Sequence, residues 1–89
     1  MELNQLKYDL KAMIIEECEK EDITPDDVPN DVEIFSRKSG LNLDSLDALE
    51  ISMALQKNYG IRLGDPKAFR RAVTTIDALA ELIIKEKNG

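Results

Sequence analysis

Apolar residues recur at helical spacing in three parts of this 89-residue chain and lose that spacing in one long stretch between the first two. Leu3, Leu6, Leu10, Met13, Ile14 and Cys18 follow the i, i+3, i+4, i+7 rule, which predicts a first helix from about Leu3 to Glu19 with one buried face. Tyr8 and Ile15 fall beside that stripe. From Lys20 to Leu43 the period fails, and turn formers gather at Thr24-Pro25-Asp26-Asp27, Pro29-Asn30-Asp31 and Ser39-Gly40. So long a connection in a small domain must be anchored by its own side chains. Ile23, Val28, Val32, Ile34 and Phe35 are the candidates, with Phe35 the first choice for insertion into the core, and Pro25 to Val28 suits a single helical turn.

The second periodic segment, about Ser45 to Asn58, has two apolar stripes where a surface helix ordinarily has one. At roughly 100° per residue, Ala48, Ile51, Leu55 and Tyr59 fall on one side and Leu46, Leu49 and Met53 about 150° away. One stripe is expected to enter the core. The other is left near the surface, flanked by Asp47, Glu50 and Lys57, and apolar residues rimmed by charge form a usual docking surface. After Gly60, Ile61-Arg62-Leu63 reads as a short extended piece leading to a Gly64-Asp65-Pro66 turn. Lys67 to Ala72 follows as a brief third helix with Phe69 and Val73 pointing inward. Thr74 or Thr75 caps a last helix whose buried stripe is Ile76, Leu79, Ala80 and Ile83, with a fraying end from Lys85 to Gly89. The expected fold is all-α: a small four-helix bundle, three longer helices plus a short third, with a long loop between helices 1 and 2. Residues 1–89 read as a single domain.

Composition sharpens this picture by exclusion. Aromatics are 4% and Trp is absent, so a core of Leu, Ile, Ala and Met suits a helical bundle better than a sheet. No apolar run approaches the ~20 residues of a membrane span. The first residues lack the basic and apolar regions of a signal peptide, so a cytoplasmic protein is expected. Net charge −6 argues against nucleic acid as a partner. The charge is unevenly spread: residues 14–50 carry twelve Asp/Glu against three Lys/Arg, whereas residues 51–89 carry four against seven. With no His, a Ser-His triad is impossible, and the single Cys18 excludes an internal disulfide and a cysteine-based zinc cluster; no metal site is expected.

Ser45 is the residue with a chemical setting. Asp44 is a good N-cap, Asp47 follows three residues later, and the apolar pattern begins at Leu46, so Ser45 takes the first helical position. Its hydroxyl then sits at the positive end of a helix, where free N–H groups and the dipole favour a phosphate. Ser36, Ser39 and Ser52 lack that setting. With no base of its own, such a hydroxyl describes a substrate of modification better than a catalyst, and the chain is not expected to be an enzyme.

Asp44-Ser45-Leu46-Asp47, Leu49-Glu50, Met53-Ala54-Leu55 and Tyr59-Gly60-Ile61 closely resemble the prosthetic-group segment of acyl carrier proteins. The flanking helices, long loop and Thr74-Thr75-Ile76 follow in that family's order, so the resemblance covers nearly the whole chain. It implies that Ser45 carries covalent 4′-phosphopantetheine, moved from coenzyme A by a phosphopantetheinyl transferase, and that the arm's thiol holds acyl groups as thioesters. It further implies docking of acyl-loading, condensing and acyltransferase enzymes through Asp44, Leu46, Asp47, Leu49, Glu50 and Met53. An acyl slot between helices has Phe35, Ile51, Leu55, Leu63, Phe69, Ile76 and Leu79 as candidate lining. The carrier is expected to act as a monomer in fatty-acid, polyketide or polyene, or cell-envelope lipid biosynthesis. An unmodified helical interaction module and a carrier of amino acids or peptides are the alternatives.

The chain also departs from that family. Carriers of primary fatty-acid synthesis continue the acidic run into the third helix, whereas Gln56, Lys57 and Asn58 and then Arg62, Lys67, Arg70 and Arg71 stand here. The connection between the second and last helices is about two residues longer than the family's usual pattern. Both features point to a carrier specialised for one pathway.

Overall fold

In the computed structural model, which describes residues 2–63 and 65–88, the chain forms four α-helices: α1 Leu3–Glu17, α2 Ser45–Tyr59, α3 Pro66–Ala72 and α4 Ile76–Asn88. α1 packs against both α2 and α4, and α3 lies against α4. The expected all-α order, three long helices with a short third, is observed. Gly64, placed by the sequence in a turn with Asp65 and Pro66, lies outside the described residues, as does Gly89.

Each boundary has a local cause. The Glu2 carboxylate accepts the Asn4 and Gln5 N–H groups at 3.0 and 2.7 Å and starts α1. α1 stops at Glu17, two residues before the predicted end, because Glu19 turns to φ 54° and the Lys20 N–H donates back to Ile15 O at 3.0 Å. α2 ends where Gly60 adopts φ 68°, a left-handed conformation that costs glycine nothing sterically. Gly60 N–H and Ile61 N–H then donate to Gln56 O and Leu55 O. The Asp65 carboxylate accepts the Ala68 N–H at 2.8 Å to start α3. Of the two candidate caps of α4, Thr75 Oγ1 accepts the Ala78 N–H at 3.0 Å. α4 stays helical to Asn88, past the Lys85 at which fraying was predicted.

The core is built mainly from the expected stripes: Leu6, Leu10, Met13 and Ile14 from α1, Ile51 and Leu55 from α2, Phe69 and Val73 from α3 and its end, and Ile76, Leu79, Ala80 and Ile83 from α4; Ala54 joins it from outside the expected α2 stripe, whose Ala48 and Tyr59 are half-buried. Full burial of one such aliphatic side chain contributes about 1.5–3 kcal/mol, so the apolar stripes, not helix propensity, hold these short helices. Two predicted members of the α1 stripe differ: Leu3 is exposed in the first turn and Cys18 is half-buried beyond the last.

The loop between α1 and α2 is held as its length requires. Val28, Ile34 and Leu41 are buried, Ile23 is half-buried, and Pro25–Asp27 forms the expected helical turn, of the 3₁₀ type. A second 3₁₀ turn, Arg37–Ser39, was not foreseen. Ile34 N–H donates to Thr74 O at 2.8 Å, Glu33 and Thr75 form an isolated antiparallel bridge, and Asp77 N–H donates to Asn30 O at 3.0 Å, tying the loop to the start of α4. Phe35 is not the core anchor. Ile34 and Phe35 are the central residues of a turn closed by the Ser36 N–H donating to Glu33 O at 3.1 Å; with Ile34 buried and tied to Thr74 O, Phe35 is left at the surface, 36% exposed, and meets Phe69 edge-on at 5.9 Å.

Candidate functional site

The site is built on the junction of the loop with α2. Asn42 takes φ 50°, and Asp44 then closes a reciprocal cap: its Oδ1 accepts the Asp47 N–H at 3.0 Å while Asp47 Oδ2 accepts the Asp44 N–H at 3.0 Å. Ser45 follows as the first helical residue, with an exposed side chain. Of the donors at this helix start, the capping box takes those of Asp44 and Asp47, which leaves the Ser45 and Leu46 N–H groups for solvent or an anion.

The end of α1 braces the same junction. Lys20 Nζ donates to Asn42 O at 3.4 Å and lies 3.8 Å from Asp47 Oδ2, and the Cys18 thiol reaches Asp47 O at 3.9 Å. Burial, reinforced by the Asp47 charge, pushes the Cys18 thiol up to about 12, so it is a protonated packing group near neutral pH. Lys20 carried no signal in the sequence, since a lysine at a helix end is most often solvated surface.

A groove runs from Ser45 between α2, α3 and the loop. A cavity of about 500 Å³ is lined by Phe35, Leu43, Ser45, Ala48, Phe69 and Val73, with Glu33, Asp44, Arg70 and Thr74 supplying polar atoms. A second, of about 480 Å³, shares Ser45, Ala48, Phe69 and Arg70 with it and adds Leu49, Ser52, Leu63 and Asp65. Of the seven candidate slot residues, Phe35, Leu63 and Phe69 line this groove. Ile51, Leu55, Ile76 and Leu79 are closed in the core at 0% exposure and line neither cavity. Helical periodicity says nothing of Phe35 and Leu63, which lie outside the helices, and it puts Phe69 inward like the four core residues. Leu43, Ala48 and Arg70 were not among the candidates and are brought to the groove by the fold.

The other face of α2 carries Leu46, Leu49 and Met53 at 73%, 59% and 63% exposure. Asp44 and Glu50 are exposed beside them, while Asp47 is drawn inward by the cap and by Lys20. Among the described residues no helix is long and apolar enough to cross a membrane.

Residues 9–83 match the family model described as the phosphopantetheine attachment site. Two chloroplastic proteins of Cuphea lanceolata, acyl carrier protein 4 and acyl carrier protein 1, are each 34% identical over 87 residues. Each alignment covers 96% of this chain, and the chain spans 60% and 59% of their respective lengths. An exposed serine at a capped helix start, with an open groove on one side and an apolar face on the other, fits a long arm attached at one end. The chain belongs to the acyl carrier protein family, whose prosthetic group is covalently attached 4′-phosphopantetheine.

Proposed function

We propose that the protein is an acyl carrier in which Ser45 bears 4′-phosphopantetheine and α2 presents the loaded arm to partner enzymes. The observation that supports this best is the exposure of Ser45 at the first position of α2, where the Asp44–Asp47 box fixes the helix start and the groove opens beside the hydroxyl. In the loading step Ser45 Oγ attacks the phosphorus that bears the pantetheine in coenzyme A. An O–P bond forms to the serine, the pyrophosphate bond breaks, adenosine 3′,5′-bisphosphate leaves, and a base on the transferase takes the serine proton. The chain itself has no histidine to serve as that base, which fits a substrate of the transferase and not a catalyst. The arm's terminal thiol supplies the thioester linkage to acyl groups.

Leu46, Leu49 and Met53, with Asp44 and Glu50 beside them, form the docking face for the transferase and for acyl-loading, condensing and acyltransferase enzymes. Asp47 contributes mainly by holding the cap. Phe35, Leu63 and Phe69 are the groove residues placed to meet an acyl chain, whereas Ile51, Leu55, Ile76 and Leu79 serve the core unless the helices part. The basic residues Lys57, Arg62, Lys67, Arg70 and Arg71, all exposed, support service to a specialised fatty-acid, polyketide or envelope-lipid pathway. Intact mass before and after treatment with a transferase and coenzyme A tests the reading: the wild type gains one phosphopantetheine and Ser45→Ala gains none. Modification of Ser45→Ala, or none of the wild type by transferases of broad specificity, would sink it.

A further inference from the structure

We propose that the Arg70 guanidinium pairs with the phosphodiester at Ser45 and lays the arm along the groove between α2 and α3 instead of out into solvent. This rests on Ser45 being the attachment point. A phosphate joined to Ser45 Oγ sits at the mouth of both cavities that Ser45 lines, and Arg70 lines both as well. Arg70 is the single cationic residue in either lining; the other ionisable members are Glu33, Asp44 and Asp65.

The start of α2 is a weak substitute for a counter-charge. Its Asp44 and Asp47 N–H groups are already bonded within the capping box, so only the neutral N–H groups of Ser45 and Leu46 are left to an anion, and the two carboxylates of the box lie at the same helix start. Asp47 is partly answered by Lys20 at 3.8 Å, but Asp44 is exposed. Compensation therefore falls to Arg70. Among the described residues the ion pairs are Lys7–Asp77 and Lys20–Asp47, so Arg70 is not committed elsewhere, and Asp65 spends its carboxylate on the Ala68 N–H. A guanidinium presents parallel N–H donors that match two phosphate oxygens, which a lysine ammonium does not. Arg71, adjacent in sequence, lines neither cavity and provides the internal control.

The experiment compares wild type, Arg70→Gln, Arg70→Lys and Arg71→Gln, each treated with transferase and coenzyme A and verified by intact mass. The readouts are the ³¹P resonance of the phosphodiester and the Arg70 Nε–H cross-peak before and after loading. Loading is expected to shift the Arg70 Nε–H of the wild type. The ³¹P resonance is expected to move in Arg70→Gln, to move less in Arg70→Lys and to stay in place in Arg71→Gln. Salt at about 1 M, where the screening length is about 3 Å, is expected to bring wild type and Arg70→Gln together. A loaded wild type with an unmoved Arg70 cross-peak, or equal ³¹P shifts in Arg70→Gln and Arg71→Gln, overturns the pairing alone. Absence of the mass gain on Ser45 overturns the attachment and the pairing together.

Discussion

Truncating Leu55 and Leu49 to alanine, one at a time, separates the part of α2 that holds the fold from the exposed part proposed to meet partners. The two residues lie on one helix, yet Leu55 is 0% exposed and Leu49 is 59% exposed. Leu55→Ala removes a buried side chain and leaves a cavity, a loss of about 2–5 kcal/mol. At roughly 0.05–0.15 kcal/mol per residue, a chain of this length has only about 4–13 kcal/mol in total. A loss of about 3 kcal/mol lowers Tm by about 12–24 °C in a domain of this size. Leu49→Ala removes little packing, and alanine is at least as good a helix former, so its cost stays within about 0.5 kcal/mol. Thermal and urea unfolding followed by far-ultraviolet circular dichroism give both values. Equal, large losses would show that Leu49 is packed and refute the two-face assignment; a loss below about 1 kcal/mol at Leu55 would refute the core.

Ser39→Ala tests the second turn of the loop: Ser39 is 1% exposed, its Oγ faces Ile34 O at 2.8 Å and accepts the Leu41 N–H at 3.2 Å, and stranding these groups is expected to cost about 1–3 kcal/mol by urea unfolding, whereas an unchanged midpoint would show that water replaces the hydroxyl. Because the folded Cys18 thiol is raised from 9.0 to about 12, its contribution to stability is complete below about pH 9 and lost as pH rises towards about 12. Tyr59, raised from 10.0 by burial, adds to the same alkaline loss, so Cys18→Ala is expected to flatten the fall of the urea midpoint only in part, and parallel falls in both proteins would contradict the burial argument. Reversal of Lys57 and Arg71 to Glu is expected to raise turnover of the holo protein by a general fatty-acid synthase set; efficient turnover of the unchanged sequence, or no gain on reversal, removes charge as the source of specialisation.

The sequence makes the helices and their inward faces legible because period and capping are local properties. Asp44, Asp47 and Gly60 mark the ends of α2 by chemistry that acts within one turn, and both stripes of that helix fall where the period puts them. The loop is less legible, since its geometry is set by partners far along the chain. Ile34, and not Phe35, enters the core because the Ile34 N–H bonds Thr74 O, a contact some forty residues away that no local pattern carries. Ser39 looked like an ordinary turn residue and is buried, since only the folded loop brings Ile34 O and the Leu41 N–H to its hydroxyl. The groove was half-read for the same reason: Phe69 and Leu63 were candidates by hydrophobicity, while Arg70 reached it because α3 begins at the Asp65 cap and places that residue at both cavities that Ser45 lines.

These placements change how the charge of α2 has to be understood. Counted along the sequence, Asp44, Asp47 and Glu50 form an acidic group beside Ser45. In the fold two of them are engaged with the backbone of their own helix start, and Asp47 is also neighboured by Lys20, leaving Glu50 as the acid that the cap does not use. Across the groove, exposed Arg70 and Arg71 close the last turn of α3. An enzyme docking as proposed would therefore meet a surface that changes sign over the width of one groove, with exposed Leu46, Leu49 and Met53 on the α2 face. Charge of this kind acts on encounter and on the exclusion of wrong partners more than on affinity. In the proposed docking the apolar stripe is common to any enzyme that grips α2, so discrimination among such enzymes would fall to Lys67, Arg70 and Arg71, exposed residues of α3, and not to Phe69, which the core holds.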